Sequence, residues 1–209
     1  MKTKAAIKAA ALDLFNQRGV QHITLRDIAK QLGKSYGNIT YHFPKKEALV
    51  TALFQDFNAA LAALPAQFDP EKGLLHFFFT LPEASFEITT QYLFLTTDYL
   101  ELKRSYHDLF KVVDELNAAR KVKWLQLMIQ LQSEGWLRAD ISQKTLEYIM
   151  ELSVSLRMFY FQSQNQEAYD RKTFCIKINQ LLWPYLSGEG DICFQQWLET
   201  TKKGSNERK

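Results

Sequence analysis

The chain has 209 residues, 46% hydrophobic and 23% charged, which suits a globular protein of one or two domains with a real core. It holds no apolar run long enough to span a membrane, its lysine- and alanine-rich start keeps its charges and no cleavage pattern follows, and Cys175 and Cys193 form neither a disulfide framework nor a metal spacing, so a reducing, cytoplasmic setting is the default. The net charge of +3 conceals an asymmetry: residues 1–50 carry nine Lys or Arg against three acids, +6, and the remainder is −3, so a basic head that suits a polyanion, or is simply solvated, sits on a mildly acidic body.

Nearly every segment reads at a helical period, and the pattern predicts an all-α protein. A first helix covers about residues 3–18, with Ile7, Ala10, Ala11, Leu14 and Phe15 on one face and Gly19 as its stop. A second starts after Thr24, where Thr24 and Asp27 have the spacing of a capping box, and buries Leu25, Ile28, Ala29 and Leu32 before Gly33. A third begins at Ser35 and ends near Tyr41 or His42. Pro44 then suits the first turn of a fourth, which runs to about Leu64. Beyond it the pattern predicts a helix opened by Asp69-Pro70, another from Pro82 to about Leu102, and a long one over 105–134. Further helices are expected over about 143–164 and 167–186, a break at Ser187–Gly190, a last helix over about 191–201, and a disordered polar tail. The domains expected are 1–50 and 51–190, with 191–209 as terminal helix and tail.

The stretch "LGKSYGNITYHFPKKEAL", Leu32 to Leu49, contains Gly33-Lys34-Ser35, the ending of a phosphate-binding loop. That loop needs a glycine where Ile28 stands and a strand where an amphipathic helix stands, so the reading fails. Two short helices joined by a glycine-containing turn in a basic three-helix unit are instead a helix-turn-helix. Its second helix enters the major groove and meets base edges with its first residues. Lys34, Ser35, Tyr36, Gly37, Asn38 and Thr40 are all polar or small there, and only Ile39 is left to anchor the helix.

The segment "ITLRDIAKQLGKSYGNITYHFPKKEAL" resembles the DNA-binding domain of TetR-type transcriptional regulators, over about residues 5–55. Phe15 and Gly19, Thr24, Ile28-Ala29, Leu32-Gly33, Tyr41-His42-Phe43 and Lys46-Glu47-Ala48-Leu49 fall in the order and spacing of that family. The resemblance implies that Lys34, Ser35, Tyr36, Gly37 and Asn38 line the groove, with Asn38 the first candidate for a base contact. It implies phosphate or groove contacts for Thr24 and Arg26, backbone contacts for Tyr41 and His42, and a phosphate at Lys46. Lys34 and Lys46 also suit plain solvation, and His42 a packed core position; Phe43 is assigned to the core. Two departures stand out. Thr40 replaces an aromatic, which shortens or removes a phosphate or sugar contact, and Lys45 replaces the usual helix cap, trading it for an extra phosphate contact.

The body is rich in aromatic side chains, for most of which plain packing accounts. The resemblance implies a small-molecule pocket there, and Phe86, Tyr92, Tyr99, Tyr106, Trp124 and Phe159 are the candidate lining for an apolar or aromatic effector. The helices over 143–164 and 167–186 carry more apolar surface than one face can use, which predicts homodimerisation through residues 143–186, and two reading heads suit a palindromic operator on double-stranded DNA, with repression as the expected outcome. A protein partner in place of the effector, or activation in place of repression, fits the residues too. No catalytic set is present: His22, His42, His76 and His107 are scattered, and nothing calls for a cofactor or metal.

Overall fold

The computed structural model describes residues 2–163 and 169–203. The helices are α1 (Lys2–Arg18), α2 (Leu25–Gln31), α3 (Tyr36–His42), α4 (Lys46–Ala62), α5 (Leu74–Gln91), α6 (Phe94–Thr97), α7 (Tyr99–Ser105), α8 (His107–Ser133), α9 (Gln143–Gln162), α10 (Arg171–Gln180) and α11 (Gly188–Lys203). Among the described residues the strand-like pairing is a single antiparallel bridge, Leu137 to Leu186. The expected helix ends near Gln164 and Glu167, and the tail from residue 204, lie outside the described residues.

The chain forms two compact units, one of residues 1–63 and 88–113, the other of 64–87 and 114–209. These contacts draw the units differently from the linear division at residue 50. The first unit keeps all of α4 and takes in a later segment, and α11 belongs to the body of the second.

In the first unit the stripe Ile7, Ala10, Ala11, Leu14 and Phe15 of α1 is buried, as its spacing demands. Thr24 and Asp27 close the capping box: the Thr24 hydroxyl accepts from the Asp27 N–H at 3.3 Å, and the Asp27 carboxylate accepts from the Thr24 N–H at 2.8 Å. α2 ends in a paired C-terminal closure, Lys34 N–H to Ala29 O at 2.9 Å and Gly33 N–H to Lys30 O at 3.2 Å. That closure needs a left-handed residue, supplied by Gly33 at φ 61°. Residues 46–67 are long and apolar enough to pass for a membrane span by composition. Leu49, Val50, Leu53 and Phe54 form the buried stripe of α4, and Asp56 pairs with Lys8 of α1. Pro44 lies just before α4 rather than inside its first turn, and Lys45 occupies the cap position without a side-chain cap bond.

The 88–113 segment is fastened to α1 by polar bonds. Asn16 donates to Gln91 O at 2.8 Å and accepts from the Phe94 N–H at 3.0 Å. Asp98 accepts from the Val20 N–H at 2.6 Å. Gly19 stands beside that carboxylate at φ 80°, ψ 148°, a conformation open essentially to glycine.

The second unit is organised around Leu75, Phe79, Met128, Leu131, Leu146, Ile149, Leu182 and Phe194. Two expected helices meeting at Pro82 prove to be one, α5, with Pro82 inside it. An interior proline costs a helix about 3 kcal/mol. Leu75, Phe79, Pro82 and Phe86 lie on one buried stripe, and each large apolar side chain removed from water returns about 1.5–3 kcal/mol, so burial wins. The break falls later, and α6 and α7 take the place of a continuous run to Leu102. α10 starts from Asp170, whose carboxylate accepts from the Thr173 N–H at 2.8 Å, and stops at Gln180 because Pro184 lacks the N–H that would bond to that carbonyl.

Ser187–Gly190 is not a break but the entry to α11. A Cβ at Gly190 would lie 2.3 Å from the Trp136 carbonyl oxygen, so this glycine answers a close backbone approach.

Candidate nucleic-acid interface

α3 is positioned by one buried side chain. Ile39 is fully enclosed, and Tyr36, Gly37, Asn38 and Tyr41 are exposed. The Ser35 hydroxyl caps the helix by accepting from the Asn38 N–H at 3.2 Å. Gly37 meets nothing within 4 Å of a built Cβ, so its side of α3 is open. The Arg26 guanidinium lies over the Tyr36 ring, 5.4 Å from its centroid. This stacking joins the first turn of α2 to the first turn of α3 and limits the directions in which Tyr36 can point. Lys34 is exposed at the turn, and neither its ammonium nor the Asn38 amide makes a hydrogen bond among the described residues.

Tyr41 is 83% exposed and meets the His42 ring edge-on at 5.0 Å; His42 is half-buried and Phe43 is buried. Thr40 bonds back to its own helix, its hydroxyl 3.2 Å from Tyr36 O and 3.3 Å from Gly37 O. The hydroxyl is therefore occupied, as is common for Thr inside a helix. The Thr24 hydroxyl is occupied too, by the Asp27 carboxylate at 2.6 Å.

Lys46 is engaged within its own unit. Its ammonium turns inward and donates to Val20 O at 2.8 Å and Ile23 O at 3.0 Å. Desolvation lowers its pKa, and Glu101 offsets part of that. Two other cations stand nearer the open surface: Lys45, expected to add a phosphate contact, and Lys4, which received no role in the sequence pattern. Lys4 lies over the Phe43 ring at 5.4 Å, and Lys4, His42 and Lys45 share an open groove of about 500 Å³. The position of Lys4 follows from how α1 packs on the start of α4, which helical periodicity does not show.

The six candidate effector residues divide between the units. Tyr92, Tyr99 and Tyr106 belong to the first, Phe86, Trp124 and Phe159 to the second. Tyr92 packs on Phe57 and Tyr99 on Phe110; burial raises the pKa of Tyr92 and of Tyr106. Phe86 is enclosed between Phe161 and Phe174, Trp124 lies against the core, and Phe159 is 65% exposed. A cavity of about 320 Å³ in the second unit is lined instead by His76, Phe79, Trp136, Cys193 and Trp197 among others.

Comparison with known proteins supports the same reading of the head. Residues 7–53 match the model of bacterial regulatory proteins of the tetR family, and residues 44–192 match a model described as a bacterial transcriptional repressor of the TetR type. The regulator RutR of Escherichia coli (strain K12) is 45% identical over 64 residues, 30% of each chain. The repressor KstR2 of Mycolicibacterium smegmatis is 28% identical over 134 residues, 63% of this chain and 65% of its own. Both matches thus span less than two thirds of the relative. A TetR-family regulator from Marinobacter aquaeolei VT8 superposes with a TM-score of 0.84 at 20% identity, covering 96% of this chain and 99% of the other. The ketosteroid transcriptional regulator KstR2 of Mycobacterium tuberculosis superposes with a TM-score of 0.69 at 18% identity, over 88% and 95%. At these identities the structural likeness speaks to the fold.

Proposed function

Because this chain belongs to the tetR family of bacterial regulatory proteins, we propose that it is a cytoplasmic, ligand-responsive repressor that binds a palindromic operator as a homodimer. The observation that carries the reading is α3, a helix with one buried anchor and an otherwise open, polar face, stacked through Tyr36 onto Arg26. Tyr36 and Asn38 read base edges, and Lys34, Tyr41 and the Lys4–His42–Lys45 groove hold phosphates. Lys46 contributes by holding the 20–23 turn.

One such helix reads few base pairs. Two, spaced one or two helical turns apart at about 34–36 Å per turn, read a palindrome. The homodimer reading is supported by α9, whose outward face presents Tyr148, Leu152 and Phe159 exposed. The expectation that α10 shares the interface equally is weaker, since Phe174, Cys175, Ile178 and Leu182 are already buried within their own unit.

The effector acts by population shift, favouring the state in which the two reading heads no longer match successive major grooves. Because residues 88–113 pack with the head, displacement of that segment carries α3 with it. The test is selection of bound sequences from a random DNA pool, followed by binding to the selected site. Tyr36→Ala is expected to weaken that site by roughly 1–3 kcal/mol while sparing non-specific DNA. Lys34→Ala or Lys45→Ala is expected to weaken both and to reduce the salt slope by about one. Recovery of no palindrome, or unchanged binding by the Tyr36 and Lys34 variants, refutes the reading.

A further inference from the structure

Arg157, on the inward face of α9, is a cation with no counter-ion among the described residues. Its Nη1 donates to the Ser85 hydroxyl at 2.8 Å and its Nε to the Ser153 hydroxyl at 3.3 Å, and its guanidinium lies 5.6 Å from the Phe174 ring centroid. Ser85 in turn donates to Pro82 O at 3.0 Å, so its lone pairs are what Arg157 meets. Among the described residues no carboxylate lies within ion-pair distance of Arg157. The acids on this side of α5, Glu83 and Glu87, are both held by Arg171, at 3.2 and 3.0 Å. Desolvation pulls the Arg157 pKa down to about 10, so the group stays charged at neutral pH in a poorly solvated place.

Two neutral hydroxyls do not neutralise a desolvated guanidinium. Such a charge is costly unless it is paired. A guanidinium has five N–H donors, of which two are used here. The free donors are not sealed off, since the one enclosed, unpartnered side-chain atom among the described residues is Asn179 Oδ1. Arg157 itself keeps part of its surface accessible.

We propose that Arg157, with Ser85 and Ser153, is an anion subsite that takes the carboxylate of an apolar or aromatic effector. A carboxylate matches the planar fork of the guanidinium and cancels one charge with one. A phosphate dianion would bring surplus negative charge against Phe174 and the ring cluster of Phe86 and Phe161. This deepens the effector-binding reading and rests on it.

The experiment uses the full chain and matched probe pairs: benzoate with benzamide, phenylacetate with phenylacetamide, octanoate with octanamide, and inorganic phosphate. Thermal stabilisation and calorimetric binding are measured on wild type, Arg157→Gln, Arg157→Lys and Arg157→Met. At least one acid is expected to stabilise wild type where its amide and phosphate do not. Arg157→Gln is expected to weaken that acid roughly 30-fold or more, with Arg157→Lys between. Without ligand, Arg157→Met is expected to melt at or above wild type, because replacing an unpaired buried charge by an apolar side chain is neutral or stabilising. Acids and amides behaving alike, no acid acting up to tens of millimolar, or an unliganded Arg157→Met that melts well below wild type overturns the proposal. Operator binding by unliganded Arg157→Gln is measured alongside. If it matches wild type while acid binding fails, the DNA-binding reading stands and the subsite alone is lost.

Discussion

Lys46 shows how one ammonium can be diverted from a nucleic-acid contact to a structural one. Its bonds to Val20 O and Ile23 O, with Asp98 on the Val20 N–H, hold both polar groups of one residue in the turn before α2. Lys46→Ala is therefore expected to lower the stability of the first unit by about 1 kcal/mol, allowing for partial exposure, and to leave the salt slope of DNA binding unchanged. Chemical denaturation and a salt titration check the two halves; a slope reduced by one at unchanged stability refutes it. Asp27 gives the pH dependence of the same region. The Thr24 hydroxyl and backbone N–H hold its carboxyl below the usual range. A folded pKa below the unfolded one means that the cap's stabilisation is complete above the ordinary Asp value near 3.9 and is lost as pH falls through the folded value. The melting temperature of Asp27→Asn is thus expected to lie below wild type at neutral pH, with the gap closing in acid. A gap that persists unchanged in acid counts against the cap.

At the scale of elements, the head was legible in the sequence because its signals are local. Thr24, Gly33, Ser35 and Gly19 each act on residues within one turn, and α1 to α4 begin and end close to where those residues place them. The second unit was less legible because its boundaries are set by distant packing. Pro82 reads locally as a helix start, yet the buried stripe from Leu75 to Phe86 carries α5 through it. Gly190 reads locally as a break, yet it is where α11 passes the Trp136 carbonyl. Gly190→Ala is accordingly expected to destabilise the second unit by about 1–3 kcal/mol, since the obstructing atom is backbone and cannot rotate away. Gly188→Ala, which meets nothing within 4 Å, is its control. Equal melting temperatures for the two variants would contradict the close approach. The candidate effector residues are hard to choose from sequence for the same reason as the helix ends. Aromatic composition does not say which rings are spent on each other, and Phe86, Tyr92 and Tyr99 are all engaged with neighbouring rings.

For the whole molecule, the question is what covers α9. Its inward face carries Leu146, Ile149 and Tyr160 into the core, while Tyr148, Leu152 and Phe159, at i, i+4 and i+11, form a second apolar stripe on the far side. Tyr148 is 57% exposed, and Val122 and Ile129 extend the exposed apolar surface onto α8. α8 and α9 are tied together by Lys121, which meets Glu147 and Glu151 at 3.5 Å each, so the two helices present one surface. A helix apolar on both faces needs a partner on each. On the proposed function, a second copy would supply the second face by two-fold symmetry and place two reading heads on one operator. Phe159→Glu, paired with Leu152→Glu, is expected to give a folded monomer in sedimentation, because the substituted positions lie outside the core. That monomer is expected to lose the palindrome while retaining weak, salt-sensitive binding to DNA, since the head is untouched. A doubly substituted protein that stays dimeric and binds the operator as wild type does would place the interface elsewhere on the chain.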